Sequence, residues 1–195
     1  MLDKEYTSLI NKQKTIYAEE LFNNSLPLSG NIADAIFNFN HINPDISDYS
    51  DIVRYSDCCP SDTIKSKKSR AILIAMRAWD GSFRGVQVLT LPSLKHFVLG
   101  YKLEGSFALF GKPSSRVAVT EDAFDALKIS YNYNIGTYSL ISSDFIETWE
   151  PSPSIKEIDF YYSEEGSAKV QRHRKNAVLR WSCTGRKVKT YNVPF

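Results

Sequence analysis

The sequence predicts an α/β fold, in which N-terminal helices and an antiparallel β meander precede a parallel sheet in the C-terminal half. Apolar runs separated by short turns fill residues 71–111, and strands alternate with helices from Arg116 onward. Asp80-Gly81 between two apolar runs is a strong hairpin signal. Alternating strands and helices indicate βαβ units with right-handed crossovers, and therefore a parallel sheet.

These patterns divide the chain into three predicted segments. Residues 1–70 form a helical lead-in and linker, residues 71–112 an antiparallel β subdomain, and residues 113–195 an α/β domain. A capping arrangement of Asn31 with Asp34 favours the second helix. The predicted order is helix Glu5–Asn23, helix Ile32–Asn40, an irregular acidic stretch over Pro44–Asp62, the meander to Gly111, strand Arg116–Thr120, helix Ala123–Tyr131, strand Thr137–Ile141, helix Phe145–Trp149, strand Ile158–Tyr162, helix Ala168–Trp181 and strand Val188–Asn192.

Composition is typical of a soluble cytoplasmic protein. With 195 residues, 43% of them hydrophobic, the chain can bury one core, or one core with a small attached lobe. No apolar run approaches the ~20 residues of a membrane span, and the N-terminus has no signal-peptide apolar segment. We therefore expect no membrane partner. Cys58, Cys59 and Cys183 are odd in number and lack zinc-site spacing, so we expect reduced thiols.

The segment Val117–Leu127 carries the candidate catalytic residues. An apolar strand ends in Thr-Glu and a helical segment begins at once, which places Glu121 where open α/β sheets bind ligands. Asp125 lies one helical turn further on. A carboxylate at this position can hold a metal ion or move a proton. In the alternative interpretation, Glu121 and Asp122 only complement the dipole at a helix N-terminus.

This segment resembles the opening motif of Toprim domains, the nucleotidyl-transfer and strand-cleavage module of primases and topoisomerases. Their pattern is an apolar strand, Thr-Glu-Gly, two residues and Asp-Ala, and this chain departs from it at Asp122. Residues 71–111 are similar to the segment that precedes the Toprim domain in plasmid and phage primases. The matching residues, in order, are Asp80, Gly81, Gln87, Lys95, Gly100, Lys102, Gly105 and Gly111. The resemblance implies a Toprim-like, Rossmann-type sheet.

The resemblance also implies a Mg²⁺ site, which the family builds from the glutamate and an Asp-x-Asp pair on a second strand. Magnesium prefers such clustered oxygen ligands. With Gly166 as the family glycine after the pair, Tyr161 and Ser163 occupy the aspartate positions. If the chain is active, Glu121, Glu164 and Glu165 are the candidate Mg²⁺ ligands. If it is not, we expect no cofactor.

The charge distribution predicts a nucleic-acid contact. Residues 168–195 contain eight basic residues and no acidic one, and in the rest of the chain 16 basic residues face 22 acidic ones. A one-sided basic segment is typical of polyanion binding, although a solvated basic helix has the same composition. The candidate nucleic-acid-binding residues are Lys102, Lys169, Arg172, Arg174, Lys175, Arg180, Arg186 and Lys187. Trp181 and Tyr191 are further candidates for stacking on a single strand, with Trp181 assigned to the core.

Three functional hypotheses follow. The first is a degenerate, primase-like protein of a mobile element or bacterial replicon that binds nucleic acid or nucleotide without catalysis, with DNA favoured over RNA. The second is an active metal-dependent nucleotidyl transferase or nuclease with a rebuilt carboxylate site. The third is a protein–protein interaction module that engages replication or host-defence proteins. Loss of the Asp-x-Asp pair favours the first and third, and the basic segment favours the first over the third.

Overall fold

The structure, a computed structural model, describes residues 2–28, 49, 51–60, 68–91, 96–101 and 103–193. Two compact units, residues 1–103 and 104–195, divide the chain. The predicted helix over Ile32–Asn40 and the candidate residue Lys102 lie outside the described residues. Within the described part, no helix is both long enough and apolar enough to cross a membrane.

The first unit contains one long helix and an antiparallel sheet. Helix α1 spans Leu2–Asn23, and the strands are β1 (Leu26–Pro27), β2 (Val53–Pro60), β3 (Lys68–Arg77), β4 (Phe83–Leu91) and β5 (His96–Gly100). They pair in sequence order, so each strand lies beside its predecessor. Ala18 and Phe22 of α1 pack with alternate residues of β3 and β4, including Leu73 and Val88. Alternation of side chains across the strands gives the helix this apolar face.

The predicted Asp-Gly hairpin is confirmed between β3 and β4. Gly81 adopts φ +80°, a left-handed conformation that glycine accepts without steric cost. The Asp80 carboxylate accepts hydrogen bonds from the backbone nitrogen and the hydroxyl of Ser82, at 2.9 Å and 2.5 Å. The turn residues therefore fix the register of the two longest strands.

Strand β2 lies in the stretch Pro44–Asp62, for which the sequence predicted irregular structure, and this prediction was wrong over Val53–Pro60. A bulge between Ser56 and Cys59 inserts one extra residue opposite β3. Because side chains alternate across a strand, the bulge moves Cys59 to the face of α1, opposite to that of Val53 and Tyr55. One strand thus has two alternating patterns out of phase, which hides it from a period-two search.

The second unit is a mixed sheet with helices on both faces. The strands are β6 (Ala108–Phe110), β7 (Arg116–Thr120), β8 (Thr137–Ser139), β9 (Glu157–Tyr162) and β10 (Lys187–Asn192), in the spatial order β10-β9-β7-β8-β6. The helices are α2 (Ala123–Tyr133), α3 (Ser143–Thr148) and α4 (Ala168–Cys183). Strands β7 to β10 pair in parallel, which confirms the predicted α/β class.

Strand β6 corrects one detail of the predicted meander. It pairs antiparallel with β8 in the second sheet and does not continue the sheet of the first unit. The strand has only three residues, and its apolar run specifies a buried strand but not a partner. The choice between two sheets depends on long-range contacts that a local pattern does not encode.

Aromatic residues dominate the core between the second sheet and helices α3 and α4. Trp149 and Trp181 are at most 1% exposed, and their rings meet edge to face with centroids 5.6 Å apart. Phe160 of β9 contacts Trp181 in the same geometry at 5.5 Å. Edge-to-face pairs add about 0.5–1.5 kcal/mol each to the free energy gained by burial. The core assignment of Trp181 is therefore confirmed, and this core fixes the position of α4 against the sheet.

Candidate functional site at the carboxyl end of the parallel sheet

Glu121 follows the last residue of the central strand β7 directly, as the sequence predicted. The next residue, Asp122, is the N-cap of α2, and its carboxylate accepts hydrogen bonds from the backbone nitrogens of Phe124 and Asp125 at 2.7 Å and 3.2 Å. The Thr120 hydroxyl donates to the Asp122 carbonyl at 2.6 Å. Asp122, the departure from the resembled Thr-Glu-Gly pattern, thus has a structural role, because an N-cap carboxylate satisfies free helix donors.

The Glu121 carboxylate is engaged by an arginine. Arg174 Nε donates to Glu121 Oε1 at 2.7 Å, and Arg174 Nη2 donates to Oε2 at 2.6 Å. The Arg174 side chain is 6% exposed and that of Glu121 is 21% exposed. Such a two-point pair, with both carboxylate oxygens bound, has the geometry that the planar guanidinium favours. The candidate catalytic carboxylate is therefore neutralised by a buried cation from α4.

The remaining donors of Arg174 bind the loop after β9. Nη1 donates to the carbonyls of Ser163 and Glu165, at 2.6 Å and 2.9 Å, and the guanidinium lies 5.2 Å from the centre of the Tyr162 ring. Gly166 follows with φ +142°, and a Cβ there would lie 2.9 Å from Val170 Cγ1. Glycine therefore permits the turn that brings both carbonyls onto Arg174.

The donor set at this position does not fit Mg²⁺. The residues at the resembled aspartate positions are Tyr161, near the end of β9, and Ser163, just beyond it, and neither supplies a carboxylate. Glu121, the carboxylate directly after β7, already binds Arg174. Among the described residues, no three His, Cys, Asp or Glu side chains come together as metal ligands.

The other predicted acidic residues meet in a pocket of about 420 Å³. It is lined by Asp125, Ser163, Glu164, Glu165, Asn192 and Val193. The Asn192 amide donates to Glu164 Oε1 at 2.8 Å. Burial, with a further contribution from the charge of Asp122, raises the pKa of Asp125 to about 6. Asp125, Glu164 and Glu165 thus line one pocket without forming a set of metal ligands, and Glu121, which binds Arg174, is not among the lining residues.

The eight basic residues of the C-terminal segment divide into two groups. Three bind within the protein: Arg174 as described, Arg180 to the carbonyl of Trp149 at 2.7 Å and to Glu150 at 2.6 Å, and Arg186 to the carbonyl of Pro151 at 2.9 Å. Lys169 and Lys187 are exposed and pair with Asp144 at 3.1 Å and Glu157 at 3.7 Å.

Arg172, Lys175 and Lys189 are exposed and, within the described part of the chain, make no ion pair. Arg172 and Lys175 lie on the outward face of α4, whereas Lys189 and Lys187 lie on the face of β10 that carries Tyr191. Arg174, Arg180 and Arg186 have their donors directed into the protein. The inward direction of Arg174 could be detected in the sequence. Arg174 lies three and seven residues before Ala177 and Trp181, which is the spacing of one buried helix face.

Sequence reasoning missed a row of aromatic rings on the face of β9 that is opposite to the one packed against α4. The rings of Tyr133, Tyr161 and Tyr191 lie nearly parallel, with centroids 6.2 Å and 4.9 Å apart and interplanar angles of 21°. Beside them, the buried carboxylate of Asp159 binds Arg116 at 2.6 Å. Of these three tyrosines, the sequence indicates only Tyr191 as a candidate for stacking. The row depends on strand register and on where α2 ends, so no local pattern indicates it.

The comparisons with known proteins agree with this architecture. No family model and no curated protein matches the chain. Among solved structures, the zinc-binding and RNA polymerase domains of the Aquifex aeolicus primase match with 13% identity and a TM-score of 0.61, over 94% of this chain and 57% of that chain. The chain thus spans a little over half of that primase chain. A Pseudomonas aeruginosa primase domain matches with 11% identity and a TM-score of 0.57, over 92% and 71%.

A DnaG primase catalytic domain bound to single-stranded DNA also matches, with 11% identity and a TM-score of 0.60, over 96% of this chain and 74% of that chain. At these identities the similarity establishes the fold. The chain has the fold of DnaG-type primase catalytic domains, and the resemblance inferred from its sequence is confirmed at that level.

Proposed function

We propose that this chain is a primase-like protein that binds nucleic acid, DNA in preference to RNA, without catalysing nucleotidyl transfer. One observation carries the proposal. Both oxygens of the Glu121 carboxylate bind Arg174, at 2.6 Å and 2.7 Å, so the expected metal-binding carboxylate already has a cation. Tyr161 and Ser163, at the positions of the resembled acidic pair, add no metal ligand. In this proposal the chain keeps the primase-like fold and lacks metal-dependent nucleotidyl transfer.

The support for nucleic-acid binding is two sets of exposed cations, one on the outward face of α4 and one on the face of β10 that carries Tyr191. Arg172, Lys175 and Lys189 extend into solvent and can each neutralise a phosphate without breaking an internal contact. The similarity to a primase domain bound to single-stranded DNA is consistent with such a partner. We propose a plasmid, phage or bacterial replicon as the origin and the cytoplasm as the compartment, where Cys58, Cys59 and Cys183 would stay free.

The test combines two assays on the same preparation. Primer synthesis is measured on a single-stranded template with nucleoside triphosphates and Mg²⁺ or Mn²⁺, for the wild type and for Glu121→Gln. Binding is measured by retention of labelled DNA and RNA at low salt. We expect no primer from either protein and weak, salt-sensitive retention by both.

A second function is favoured by one observation, the pocket that gathers Asp125, Glu164 and Glu165. If these carboxylates form a rebuilt metal site, the wild type makes primers or nicks DNA, and Asp125→Asn abolishes the activity. That result would overturn our proposal. If the wild type shows neither activity nor retention, the third hypothesis takes its place, and the chain is an interaction module for replication or defence proteins.

A further inference from the structure

The row formed by Tyr133, Tyr161 and Tyr191, here called the tyrosine row, brings together three elements that are distant in the chain. Tyr133 is the last residue of α2, Tyr161 lies in β9 and Tyr191 in β10. Tyr161 and Tyr191 are direct register partners, which explains the short 4.9 Å spacing of their rings. The three rings form one continuous stack across the edge of the sheet.

Within the described part of the second unit, the tyrosine row lies on a part of the sheet that the helices leave open. Helix α2 packs on β6, β7 and β8 on the face of the tyrosine row. Helix α4 contacts β10, the edge strand, from the opposite face, to which Val188 points. Tyr133 is 53% exposed, and Tyr161 and Tyr191 are half-buried. The outer face of the Tyr191 ring therefore points past the last strand, where a further planar group can extend the stack.

The charges along this face favour a polyanion. Parallel register places Lys187 and Lys189 on the same face as Tyr191, beside Glu157 and Asp159 of β9. Glu157 pairs with Lys187, and Asp159 is buried and bound to Arg116. Lys189 remains exposed and, among the described residues, has no ion-pair partner. Burial raises the pKa of Tyr161 to about 12, so the ring at the centre of the row carries no negative charge at neutral pH.

We infer that the tyrosine row is a stacking surface for single-stranded nucleic acid, with Tyr191 contacting a base and Lys189 an adjacent phosphate. The inference rests on the proposed function, because it gives nucleic-acid binding a specific site. Stacking of bases on aromatic rings beside cations is how many proteins hold single strands with little sequence preference. A duplex does not expose the faces of its bases, so the row discriminates single strands from duplexes.

The experiment measures the affinity of the full chain for a 15-nucleotide dT oligomer and for a 15-base-pair duplex, by fluorescence anisotropy at low salt. Tyr191→Ala should weaken binding of the dT oligomer by roughly 5- to 150-fold, the range that alanine substitution gives for one stacked base. Tyr191→Phe should bind as the wild type does, since it keeps the ring. Duplex affinity should be equal in all three proteins.

Tyr131→Ala is the matched control. Tyr131 is a 48% exposed tyrosine of the same helix α2, two residues from Tyr133, with no part in the row. We expect it to leave the affinity for dT unchanged. Lys189→Ala should reduce the slope of log affinity against log salt by roughly 0.7, the value for one phosphate on a single strand.

The outcomes separate this inference from the proposed function. If the wild type binds dT and Tyr191→Ala binds it equally well, the tyrosine row is not the site, and the proposed function stands. If Tyr191→Ala weakens duplex and dT binding equally, the single-strand assignment is wrong. If the wild type binds no nucleic acid at all, both proposals fail. Unchanged circular-dichroism spectra and melting temperatures establish that any loss in Tyr191→Ala comes from the surface.

Discussion

Helix α4 has basic residues on two faces, and those on the inward face bind within the protein while those on the outward face extend into solvent. On the inward face, Arg174 is 6% exposed, and it binds Glu121 and two loop carbonyls. On the outward face, Arg172 and Lys175 extend into solvent. Arg172 and Arg174 are only two residues apart, and the helical rotation between them separates a buried counterion from a candidate phosphate contact.

The difference shows that a count of basic residues does not measure a binding surface. Eight basic residues in the C-terminal segment predict a strongly basic face, yet three of them hold the second unit together. The internal group connects α4 and the turn before β10 to neighbouring loops, as in the bonds of Arg180 to Trp149 and of Arg186 to Pro151. Arginine suits this role because one planar group binds several oxygens.

The largest expected effect comes from replacing the inward arginine. Arg174→Met should lower the free energy of unfolding by about 3 kcal/mol, because removing one partner of a buried ion pair leaves the other uncompensated. Arg172→Met, the matched substitution on the outward face, should change it by no more than about 0.5 kcal/mol. Urea denaturation of both variants at pH 7 measures the difference, and equal losses would contradict the division of the two faces.

A double-mutant cycle isolates the ion pair itself. Glu121→Gln should partly rescue Arg174→Met, because the double variant no longer has an unpaired carboxylate next to an apolar side chain. We expect a coupling energy of at least about 1 kcal/mol, within the range for residues in direct contact. Strict additivity of the two single changes would mean that Glu121 and Arg174 do not stabilise each other.

Asp125 tests the acidic pocket beside the ion pair. Its pKa is raised from the ordinary value of 3.8 to about 6, so the folded protein binds this proton more tightly than the unfolded chain does. The charged form of Asp125 therefore lowers the free energy of unfolding. This loss is absent below pH 4, increases up to pH 6 and is complete at pH 7. This change in the pKa of Asp125 corresponds to about 3 kcal/mol of stability, which partial exposure of the side chain reduces to about 1 kcal/mol.

Asp125→Asn should accordingly raise the free energy of unfolding by about 1 kcal/mol at pH 7 and leave it unchanged below pH 4. Urea denaturation across this range measures the dependence. A variant that is less stable than the wild type at pH 7 would show that the charged carboxylate is needed in the pocket. The rebuilt metal site would then become the better interpretation.

The smallest effect concerns the outward face. Arg172→Ala with Lys175→Ala should reduce the slope of log affinity against log salt by roughly 1.4 on single-stranded DNA, at about 0.7 for each lost phosphate contact. The stability of this double variant should match that of the wild type. Filter binding between low and physiological salt gives the slope, and an unchanged slope would remove these two residues from the interface.

The sequence predicted most of the second unit because its elements have strong local signals. The apolar strand before Glu121 and the alternation of strands and helices required only local patterns, and the resemblance placed them in a known fold. Strand β2 was missed because its bulge shifts the side-chain alternation by one residue. Strand β6 was assigned to the wrong sheet because three apolar residues do not specify a partner.

The candidate site was predictable in position but not in its interactions. Sequence reasoning placed Glu121 at the end of the strand β7, and Tyr161 and Ser163 near the end of the strand β9. It could not show that Arg174, 53 residues beyond Glu121, turns inward and binds that carboxylate. Long-range ion pairs follow from how helices pack on a sheet, and composition alone assigns an arginine to the surface.

The most direct test of the central claim, that Arg174 takes the place of a metal ion at Glu121, is a Mn²⁺ titration followed by NMR. Paramagnetic Mn²⁺ broadens the amide signals of residues close to its binding site. We predict that the signals of Glu121, Ser163 and Glu165 broaden no more than those of exposed residues elsewhere in the wild type. Saturable, selective broadening of these three signals that disappears in Glu121→Gln would contradict the account and would establish a metal site at this position.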